Sequence, residues 1–311
     1  MIKNIMIIGC GNMGFAHLSS FLKLNKSFKI YLIDNDIKKI KKIKKKIKNT
    51  FFYTKSDLTF LKKIPFNMKI DFAVVASHVY QRFEITRNLL KHNKVAVLFL
   101  EKFFFYKNHH YSVIEKLLKK KGTQAFVNVW SSIFLKTIKL HKINYNNGLS
   151  SILIRKERLL TNLIHYYFLL ELVSNDEIFI DFTNSKIIKK KFSKLTFDEA
   201  RGKIVFKNRS RQIAEIRSNF LNNNDIWKFK SENIDFHLEI NGGNILVKSK
   251  NKLKKYKFPF SSQTTAAFFN KIIKNPKILK SDFPRFNAIS HISKKILKEG
   301  RKTFKKDLII R

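Results

Sequence analysis

Three glycines directly after the first apolar run constrain the fold of this chain more than any other feature. The run KNIMIIG ends at Gly9, and Gly11 follows two residues later. Gly14 lies near the start of the helix-like segment that comes next, NMGFAHLSSFLKL. A G-x-G-x-x-G spacing between a strand and a helix is typical of a phosphate-binding turn, but a lone motif also fits an ordinary tight loop. The surrounding elements decide between these two interpretations.

The first 130 residues alternate apolar runs with segments of helical periodicity. Continuous apolar strands separated by helices are typical of a parallel sheet that is covered on both faces. The pattern therefore predicts an α/β domain with a doubly wound parallel sheet of the Rossmann type. The strand-like runs are KNIMIIG, FKIYLID, DFAVVAS, VAVLFLEK and QAFVNVW, a weaker pair lies at TFFYT and DLTFLKKI, and the later helical segments are DIKKIKKIKKKIKN, YQRFEITRNLLKHN and HYSVIEKLLKKK.

After Trp130 the pattern changes to an α+β arrangement. A helix around FLKTIKLHKI, an extended LSSILIRKER and a helix-like TNLIHYYFLLELV lead into β-rich runs, and the helical segments SSQTTAAFFNKIIKN and FNAISHISKKILKEG close the chain. Turn signals such as NGG separate some of the runs, as hairpins require. We therefore predict a Rossmann domain over residues 1–128 and an α+β domain on a large, mainly antiparallel open sheet over residues 129–311. The β-rich runs are EIFIDF, KIIKKKF, GKIVFKN, QIAEIRSNF, IDFHLEI, NILVKSK and KKYKFPF.

The formal charge of +42 at neutral pH raises the question of nucleic-acid binding. The composition argues against it, because the chain has 53 lysines and 11 arginines, whereas base and phosphate recognition relies on the bidentate fork of arginine. The densest basic run, from Asp36, carries Ile37, Ile40, Ile43 and Ile47 on one helical face and its lysines on the other. We therefore interpret the charge as solvated helix faces and expect no specific nucleic-acid partner.

The chain has a single cysteine, Cys10, so it holds neither a disulfide framework nor a Cys-x-x-Cys metal site. His109 and His110 are adjacent and no HExxH motif occurs, so we expect no metal site. The longest uncharged apolar stretch, residues 159–170, is interrupted by polar side chains, and we expect no transmembrane helix. The apolar run before the glycines is too short for a signal sequence. We expect a cytoplasmic location.

In a βαβ unit each of the three glycines has a distinct role in binding a dinucleotide. Gly9 permits the tight turn, Gly11 lets the backbone approach a pyrophosphate, and Gly14 lets the helix pack closely on the strand. The helix that begins at Asn12 and Met13 presents unpaired N–H groups and the positive end of its dipole to the phosphates. This context favours a cofactor turn over an ordinary loop.

The second strand ends at Asp34, where a carboxylate can accept hydrogen bonds from the hydroxyl groups of the adenine-side ribose. A carboxylate at this place disfavours a 2′-phosphate. We therefore expect NAD as the cofactor, and NADP is the alternative because Lys38 and Lys39 lie close by in the sequence.

Two later segments, DFAVVASHVYQRFE and VAVLFLEKFFFYK, together resemble those of the Gfo/Idh/MocA oxidoreductases, relatives of glucose–fructose oxidoreductase and inositol dehydrogenase. In that family the fourth strand ends in Ala followed by Ser or Thr, matched by Ala76 and Ser77. The fifth strand ends in Glu-Lys-Pro, matched in part by Glu101 and Lys102. The segments VNVWSSIFLKTIKL and TNLIHYYFLLEL and the two closing helices are similar to the second half of the family. The resemblance covers nearly the whole chain.

The resemblance implies an NAD(P)-dependent oxidoreductase acting on a hydroxyl or keto carbon of a sugar, sugar acid or nucleotide-sugar, in a subgroup that often works in surface-glycan pathways. It implies that Lys102 polarises the reacting oxygen beside the nicotinamide and that His165 completes an acid–base pair, roles that both side chains suit near neutral pH. It also implies a homo-oligomer formed on the outer face of the open sheet. The residues expected to bind the cofactor are Gly9, Gly11, Asn12, Met13, Gly14, Asp34, Ser77, His78, Glu101 and Lys102, and those expected to bind the substrate are Asn162 and Trp130.

Four positions depart from the family pattern. Phe103 stands in place of the proline, and Ser132 stands where an arginine is expected. Thr161 and Phe168 stand where many members carry aspartates, four residues before and three after the histidine. Without these carboxylates the histidine lacks an acidic partner that would fix which ring nitrogen carries the proton. Asn162 is a partial replacement, because its side chain can also form a hydrogen bond. A second interpretation therefore stays open: a protein that binds a nicotinamide dinucleotide with little or no catalysis and serves as a sensor or complex partner.

Overall fold

The computed structural model of the protein describes residues 2–24, 26–50, 55–102, 105–138, 150–155, 159–173, 177–192, 195–209, 212–218, 225–231, 234–241, 244–249, 252–257, 261–275 and 283–310, and the structural statements below concern these residues. Contacts between residues divide the chain into two compact units. The first unit joins Met1–Val129 with Phe260–Ala288, and the second joins Trp130–Pro259 with Ile289–Arg311. The division expected between residues 128 and 129 stays a prediction, and the contacts give the first unit an additional late segment.

The first unit is built on a parallel sheet of six strands. Its elements are β1 (Lys3–Ile8), α1 (Asn12–Leu22), β2 (Phe28–Ile33), α2 (Ile37–Asn49), β3 (Asp57–Leu61), β4 (Lys69–Val75), α3 (Val79–His92), β5 (Lys94–Leu100), α4 (Asn108–Lys121) and β6 (Gln124–Val127). The strand order is β3-β2-β1-β4-β5-β6, and all five pairings are parallel. This is the order of a doubly wound dinucleotide-binding sheet, in which the direction of winding reverses between β1 and β4. The predicted Rossmann-type domain is confirmed.

The central strands of this sheet are apolar on both faces because helices cover both sides of such a sheet. Ile5, Met6 and Ile7 of β1 are fully buried, as are Phe72 of β4 and Phe99 of β5. A strand that alternated apolar and polar residues would place a polar side chain against one of the helix layers. The continuous apolar runs in the sequence therefore follow directly from this layered architecture.

Helix α2 confirms that the densest lysine run is a solvated amphipathic helix. The side chains of Ile40 and Ile43 are buried, while the lysines between them are exposed. The carboxylate of Asp36 caps the helix by accepting a hydrogen bond from the Lys38 N–H at 2.9 Å. The lysines of α2 therefore lie on its solvent-exposed face, and its apolar face packs against the first unit.

The second unit holds a sheet of nine strands that is mainly antiparallel. Its elements up to the end of the sheet are α5 (Ser131–Ile138), β7 (Ser150–Arg155), α6 (Leu159–Val173), β8 (Phe179–Asp181), β9 (Ser185–Phe192), β10 (Leu195–Lys207), β11 (Gln212–Ser218), β12 (Asp225–Ser231), β13 (Ile234–Asn241), β14 (Asn244–Ser249) and β15 (Lys252–Lys257). The strand order is β15-β14-β13-β12-β7-β11-β10-β8, and β9 pairs with β10. One described pair, β7 with β11, is parallel. The predicted α+β half with a mainly antiparallel sheet is confirmed.

Two details of this sheet differ from the sequence analysis. Strand β12 was not among the predicted β-rich runs, yet it pairs antiparallel with both β7 and β13. Strand β10 begins at Leu195, upstream of the predicted run GKIVFKN, and its first half pairs with β9. The first half of β10 is defined by its pairing with β9 rather than by a local apolar pattern. Strand β12 carries the alternation Trp227-Lys228-Phe229-Lys230, a strand signal that was missed.

The closing helices are α7 (Thr265–Lys274), preceded by a 3₁₀ turn over Ser261–Thr264, and α8 (Phe286–Phe304). Helix α7 belongs to the first unit because its aromatic side chains pack on the parallel sheet. The ring of Phe269 lies 4.7 Å from that of Phe72, and the ring of Phe268 lies 4.9 Å from that of Phe126. Among the described residues, no helix is both long enough and apolar enough to cross a membrane.

Candidate functional site

The three glycines of the turn after β1 meet different surroundings. Gly9 has φ +107°, in the left-handed region, and a side chain there would press on the Ala76 backbone at 2.7 Å. A side chain on Gly14 would overlap the Gly9 carbonyl oxygen. A Cβ on Gly11, in contrast, would meet no described atom within 4 Å. Gly9 and Gly14 thus serve the packing of the turn, whereas Gly11 faces open space.

Helix α1 begins at Asn12 with an open N-terminus. Gly11 precedes it in extended backbone, and no described side chain caps the first turn. The first N–H groups of a helix have no partners within the helix and carry the positive end of its dipole. The exposed Asn12 and Met13 lie at this end. The space beside Gly11 and the uncapped turn together form a cradle that fits an anionic group such as a pyrophosphate.

Asp34, directly after β2, is buried and ties the second strand to the glycine turn. Its Oδ2 accepts a hydrogen bond from the Cys10 N–H at 2.8 Å, and its Oδ1 accepts one from the Asp36 N–H at 2.9 Å. Lys39 Nζ lies 3.8 Å from Oδ2. Each carboxylate oxygen has a second lone pair, so Asp34 retains acceptor capacity for ribose hydroxyl groups. Burial, followed by the charge of Asp34, raises the pKa of the Cys10 thiol to about 12, which keeps it protonated and unreactive.

Ser77 and His78 lie between β4 and α3, on the other side of the winding reversal. The Ser77 hydroxyl oxygen is buried and has no hydrogen-bond partner among the described residues. A buried polar atom without a partner costs free energy unless a ligand or water satisfies it. His78 is half-buried, and its ring stacks on that of Tyr80 at 5.4 Å. The orphaned hydroxyl is the second observation, beside the open turn, that fits a bound dinucleotide.

Glu101, directly after β5, belongs to a buried polar network. Its Oε1 lies 2.8 Å from His17 Nε2 and accepts a hydrogen bond from Asn128 Nδ2 at 2.6 Å. The other ring nitrogen of His17 lies 2.7 Å from the hydroxyl of Thr265. Burial alone would raise the pKa of Glu101, but the His17 contacts, with Asn128 and Arg82, outweigh it and lower that pKa below its ordinary value. The described partners of this carboxylate are therefore protein groups in the interior.

Lys102 follows Glu101 at the end of β5 and is half-buried. Its backbone carbonyl accepts a hydrogen bond from Arg82 Nη1 at 2.9 Å. Phe103, which stands in place of the proline of the family motif, lies outside the described residues. The parallel sheet thus brings the ends of β4 and β5 to one edge, where Ser77 and Lys102 both emerge.

His165 lies on α6 in the second unit and is 2% exposed. Its Nδ1 accepts a hydrogen bond from the Trp130 N–H at 3.3 Å, and its ring stacks on the Trp130 indole at 4.9 Å. Because Nδ1 accepts, a neutral His165 carries its proton on Nε2. Asn162, one turn earlier on α6, is half-buried. The Trp130 N–H therefore favours the tautomer of this histidine with the proton on Nε2.

A carboxylate that the sequence analysis missed sits at the start of α6. Glu199 of β10 accepts hydrogen bonds from the Leu160 N–H at 2.5 Å and from the Thr161 hydroxyl at 2.8 Å. It thus caps the helix that carries His165. Phe168 is buried, and the side chain of Ser132 lies outside the described part of the chain. The only sequence signal for Glu199 was its acidic pair with Asp198, which lies between two of the predicted β-rich runs.

No group of three or more His, Cys, Asp or Glu side chains in the described ranges is placed to hold a metal ion. His110 stacks on Phe83 at 3.7 Å. Burial, followed by the charges of His109 and Lys107, lowers the pKa of His110 to about 4. This ring is therefore neutral at physiological pH and belongs to the packing of α3 against α4.

A doubly wound sheet with a glycine turn and an uncapped helix at its winding reversal defines a dinucleotide-binding Rossmann domain. Residues 3–129 match the model of the Gfo/Idh/MocA family, described as an oxidoreductase family with an NAD-binding Rossmann fold. The match covers the parallel-sheet part of the first unit, and the resemblance to this family seen in the sequence is confirmed there. No curated protein sequence matches the chain.

Solved structures share the fold over nearly the full length. An oxidoreductase from Desulfitobacterium hafniense, described as NADPH-dependent, has a TM-score of 0.70 at 9% identity and covers 98% of this chain and 96% of its own. The super-repressor mutant of Gal80p from Saccharomyces cerevisiae has a TM-score of 0.69 at 12% identity, with the same coverage. UDP-N-acetylglucosamine 3-dehydrogenase from Acidithiobacillus ferrooxidans has a TM-score of 0.68 at 8% identity and covers 97% of this chain and 98% of its own. At these identities the likeness is one of fold.

Proposed function

We propose that this protein is an NAD(P)-dependent oxidoreductase acting on a hydroxyl or keto carbon of a sugar, sugar acid or nucleotide-sugar. The observation that carries the proposal is the juxtaposition at one sheet edge of an open glycine turn, an orphaned Ser77 hydroxyl and the strand end that bears Lys102. The match of residues 3–129 to an NAD-binding oxidoreductase family supports the class of reaction. The nucleotide-sugar substrate named for the Acidithiobacillus ferrooxidans enzyme supports the class of substrate.

The cofactor part of the proposal uses the residues of the first unit. A bound nicotinamide dinucleotide would supply the hydride acceptor or donor. Gly11, Asn12 and Met13 would bind the pyrophosphate through backbone N–H groups, and Asp34 would accept from a ribose hydroxyl. Gly9 and Gly14 shape the turn. Ser77, His78, Glu101 and Lys102 would line the nicotinamide side of the same edge, with Ser77 donating its free hydroxyl.

The proton part of the proposal changes the tasks that the family resemblance implies for Lys102 and His165, because a neutral His165 whose Nδ1 accepts a hydrogen bond carries its proton on Nε2. Lys102 would take the proton of the substrate hydroxyl during oxidation and return it during reduction. His165, with Nδ1 already accepting from the Trp130 N–H, would use Nε2–H to donate a hydrogen bond to the same oxygen. Asn162 and the half-buried Trp130 would bind the substrate beside it. Both catalytic groups must reach one substrate oxygen, which a crystal structure with cofactor and substrate would test.

The experiment that tests this function is a substrate screen with the purified protein. Sugars, sugar acids and nucleotide-sugars are offered with NAD, NADP or their reduced forms, and the absorbance of the reduced nicotinamide is followed. Turnover with one of these classes supports the proposal. A role in surface-glycan biosynthesis and a cytoplasmic location are part of the proposal, and the identity of the substrate found would support or reject the former.

The alternative function is a protein that binds the dinucleotide with little or no catalysis. Two observations favour it: His165 is 2% exposed, and a similar fold occurs in a protein described as a super-repressor mutant. Such a sensor or complex partner would bind NAD tightly and turn over none of the screened compounds. Calorimetry with NAD beside the absorbance screen separates the two functions.

We expect the protein to bind NAD more tightly than NADP. The buried carboxylate of Asp34 disfavours a 2′-phosphate, because the two negative charges would lie close together with little screening. Calorimetric titration with NAD and with NADP measures the ratio of the two dissociation constants. The control is Asp36→Asn, which keeps a side chain that can cap α2 and should leave the ratio unchanged. Equal affinities, or tighter binding of NADP, would reject the role assigned to Asp34.

We also expect a homo-oligomer that uses the open sheet of the second unit. Leu253 on the edge strand β15 is 63% exposed, and Phe179 on β8, at the other end of the strand order, is 44% exposed. The lysine charge opposes association at low salt. Light scattering of the wild type and of Leu253→Glu tests the expectation, with Phe66→Glu in the first unit as the matched exposed control. A monomer at both low and moderate ionic strength would contradict it.

A further inference from the structure

Arg82 on α3 is a buried arginine whose side chain contacts the ends of two strands. Its Nε donates a hydrogen bond to the Ser77 carbonyl at 3.1 Å, and Nη2 donates to the same oxygen. Its Nη1 donates to the carbonyls of Glu101 at 3.0 Å and Lys102 at 2.9 Å. The side chain is 7% exposed. One guanidinium therefore joins three backbone carbonyls at the edge where the candidate site lies.

These carbonyls need a donor from outside the sheet. Ser77 lies just beyond β4, and Glu101 and Lys102 lie just beyond β5, so the strand ladder no longer pairs them. Buried backbone carbonyls are nearly always paired, and the rigid five-donor fork of arginine can reach several at once. A lysine places its three donors on one nitrogen, whereas here Nε and Nη2 reach the Ser77 carbonyl and Nη1 reaches the other two. The use of arginine here, in a chain with 53 lysines and 11 arginines, fits this geometric demand.

Burying the charged guanidinium of Arg82 costs free energy, because the charge is removed from water. Burial lowers the pKa of Arg82 to about 10, although the nearby Glu101 carboxylate raises it, so the guanidinium stays charged at neutral pH. A buried charge that loses its partners is strongly destabilising. The same segment is fixed on its side-chain face by His17 and Asn128, which contact the Glu101 carboxylate. The residue before Lys102 is thus anchored through both its main chain and its side chain.

We propose that Arg82 is a positioning residue for Lys102: by joining the Ser77, Glu101 and Lys102 carbonyls, it fixes the backbone from which the Lys102 side chain projects. The inference rests on the proposed function, because it concerns the geometry of the group assigned to proton transfer. A displacement of about 1 Å in a reacting group can lower a rate about 10²-fold, so holding this backbone matters for turnover. Arg82 itself contacts neither cofactor nor substrate in this proposal.

The kinetic test compares Arg82→Lys with Arg87→Lys on the same helix. Arg87 is partly exposed and pairs with Glu84, so its substitution should leave turnover unchanged. Arg82→Lys should lower kcat about tenfold or more, while KM and the Kd for NAD stay within about threefold, because the lost geometry matters only to the reacting group. In Arg82→Ala, added guanidinium ion should restore part of kcat. An unchanged kcat in folded Arg82→Lys would overturn the proposal.

A second readout does not depend on turnover. The Glu101 N–H donates to the Val75 carbonyl at 3.2 Å, linking the ends of β4 and β5. Hydrogen exchange of this amide should accelerate in Arg82→Lys, while exchange in β1 stays unchanged. Faster exchange throughout the first unit, with a lower melting temperature, would mean a general stability role and would overturn the inference. If the wild type turns over no substrate, the proposed oxidoreductase function fails, and local exchange still decides whether Arg82 holds the segment of Lys102.

Discussion

Replacement of Gly11 by leucine is expected to abolish binding of nicotinamide dinucleotide while leaving the protein folded. A Cβ at this position meets no described atom within 4 Å, and the backbone angles of φ −76° and ψ −168° are open to any residue. The new side chain would therefore cost little in folding free energy. It would occupy the space through which a pyrophosphate must approach the first N–H groups of α1. Calorimetric titration measures the loss of affinity for NAD, and thermal unfolding shows whether the variant is still folded.

The matched control for this prediction is Gly14→Ala. Its methyl group would overlap the Gly9 carbonyl oxygen, so we expect a clear drop in melting temperature. The two variants separate a ligand effect from a packing effect within one turn. If Gly11→Leu binds NAD as tightly as the wild type, the pyrophosphate does not lie over Gly11 and the cofactor site is wrongly placed. Loss of folding in Gly11→Leu would contradict the open space that the structure shows beside this glycine.

The architecture was predictable where the sequence pattern is set by burial alone. Strands such as β1 and β4 must be apolar on both faces in a covered parallel sheet, so their runs are continuous and easy to recognise. Helix α2 was predictable because its isoleucine stripe determines which side of the lysine run is buried. The turn at Gly9 was predictable because its φ of +107° favours glycine.

Elements that depend on distant partners were not predictable in the same way. The partners of strand β12, β7 and β13, could not be predicted from its local sequence. The alternation Trp227-Lys228-Phe229-Lys230 was nevertheless a local strand signal that was missed. The return of α7 to the first unit depends on Phe268 and Phe269 packing against a sheet formed more than a hundred residues earlier. Sequence periodicity shows which face of α7 is apolar, but not which sheet that face covers.

In the candidate site, too, some residues could be predicted from the sequence and others could not. Gly11 was predicted from the glycine spacing, Asp34 from its place at a strand end and Lys102 from the family resemblance, and the sheet topology brings the strand ends to one edge. The bond between the Asp34 carboxylate and the Cys10 N–H was not predicted, because strand pairing sets the distance between residues that are far apart along the chain. Arg82 was missed because the helical pattern of α3 does not indicate that the Arg82 side chain contacts carbonyls at the ends of β4 and β5. The scarcity of arginine in this chain was the one available signal.

Replacement of Lys102 by methionine is expected to lower turnover about 10²-fold or more. Methionine keeps an unbranched side chain but removes the nitrogen that takes and returns the substrate proton. The affinity for NAD should change much less, because the backbone at Lys102 remains held by Arg82 and the pyrophosphate cradle lies on α1. Steady-state kinetics on the substrate found in the screen, with calorimetry for NAD, separates the two quantities. The control is Lys107→Met, an exposed lysine before α4, which should behave as the wild type.

The companion variant, His165→Asn, tests the other half of the proton mechanism and should lower kcat by a similar factor. Asparagine can still hydrogen-bond near the Trp130 N–H, but it places no Nε2–H donor where the imidazole has one. The pH profile of kcat should therefore change shape in this variant, while the melting temperature stays near that of the wild type. If only Lys102→Met loses activity, His165 has a structural role on α6, in line with its stacking on Trp130. If turnover survives both substitutions, neither residue carries the proton and only the dinucleotide site of the proposal stands.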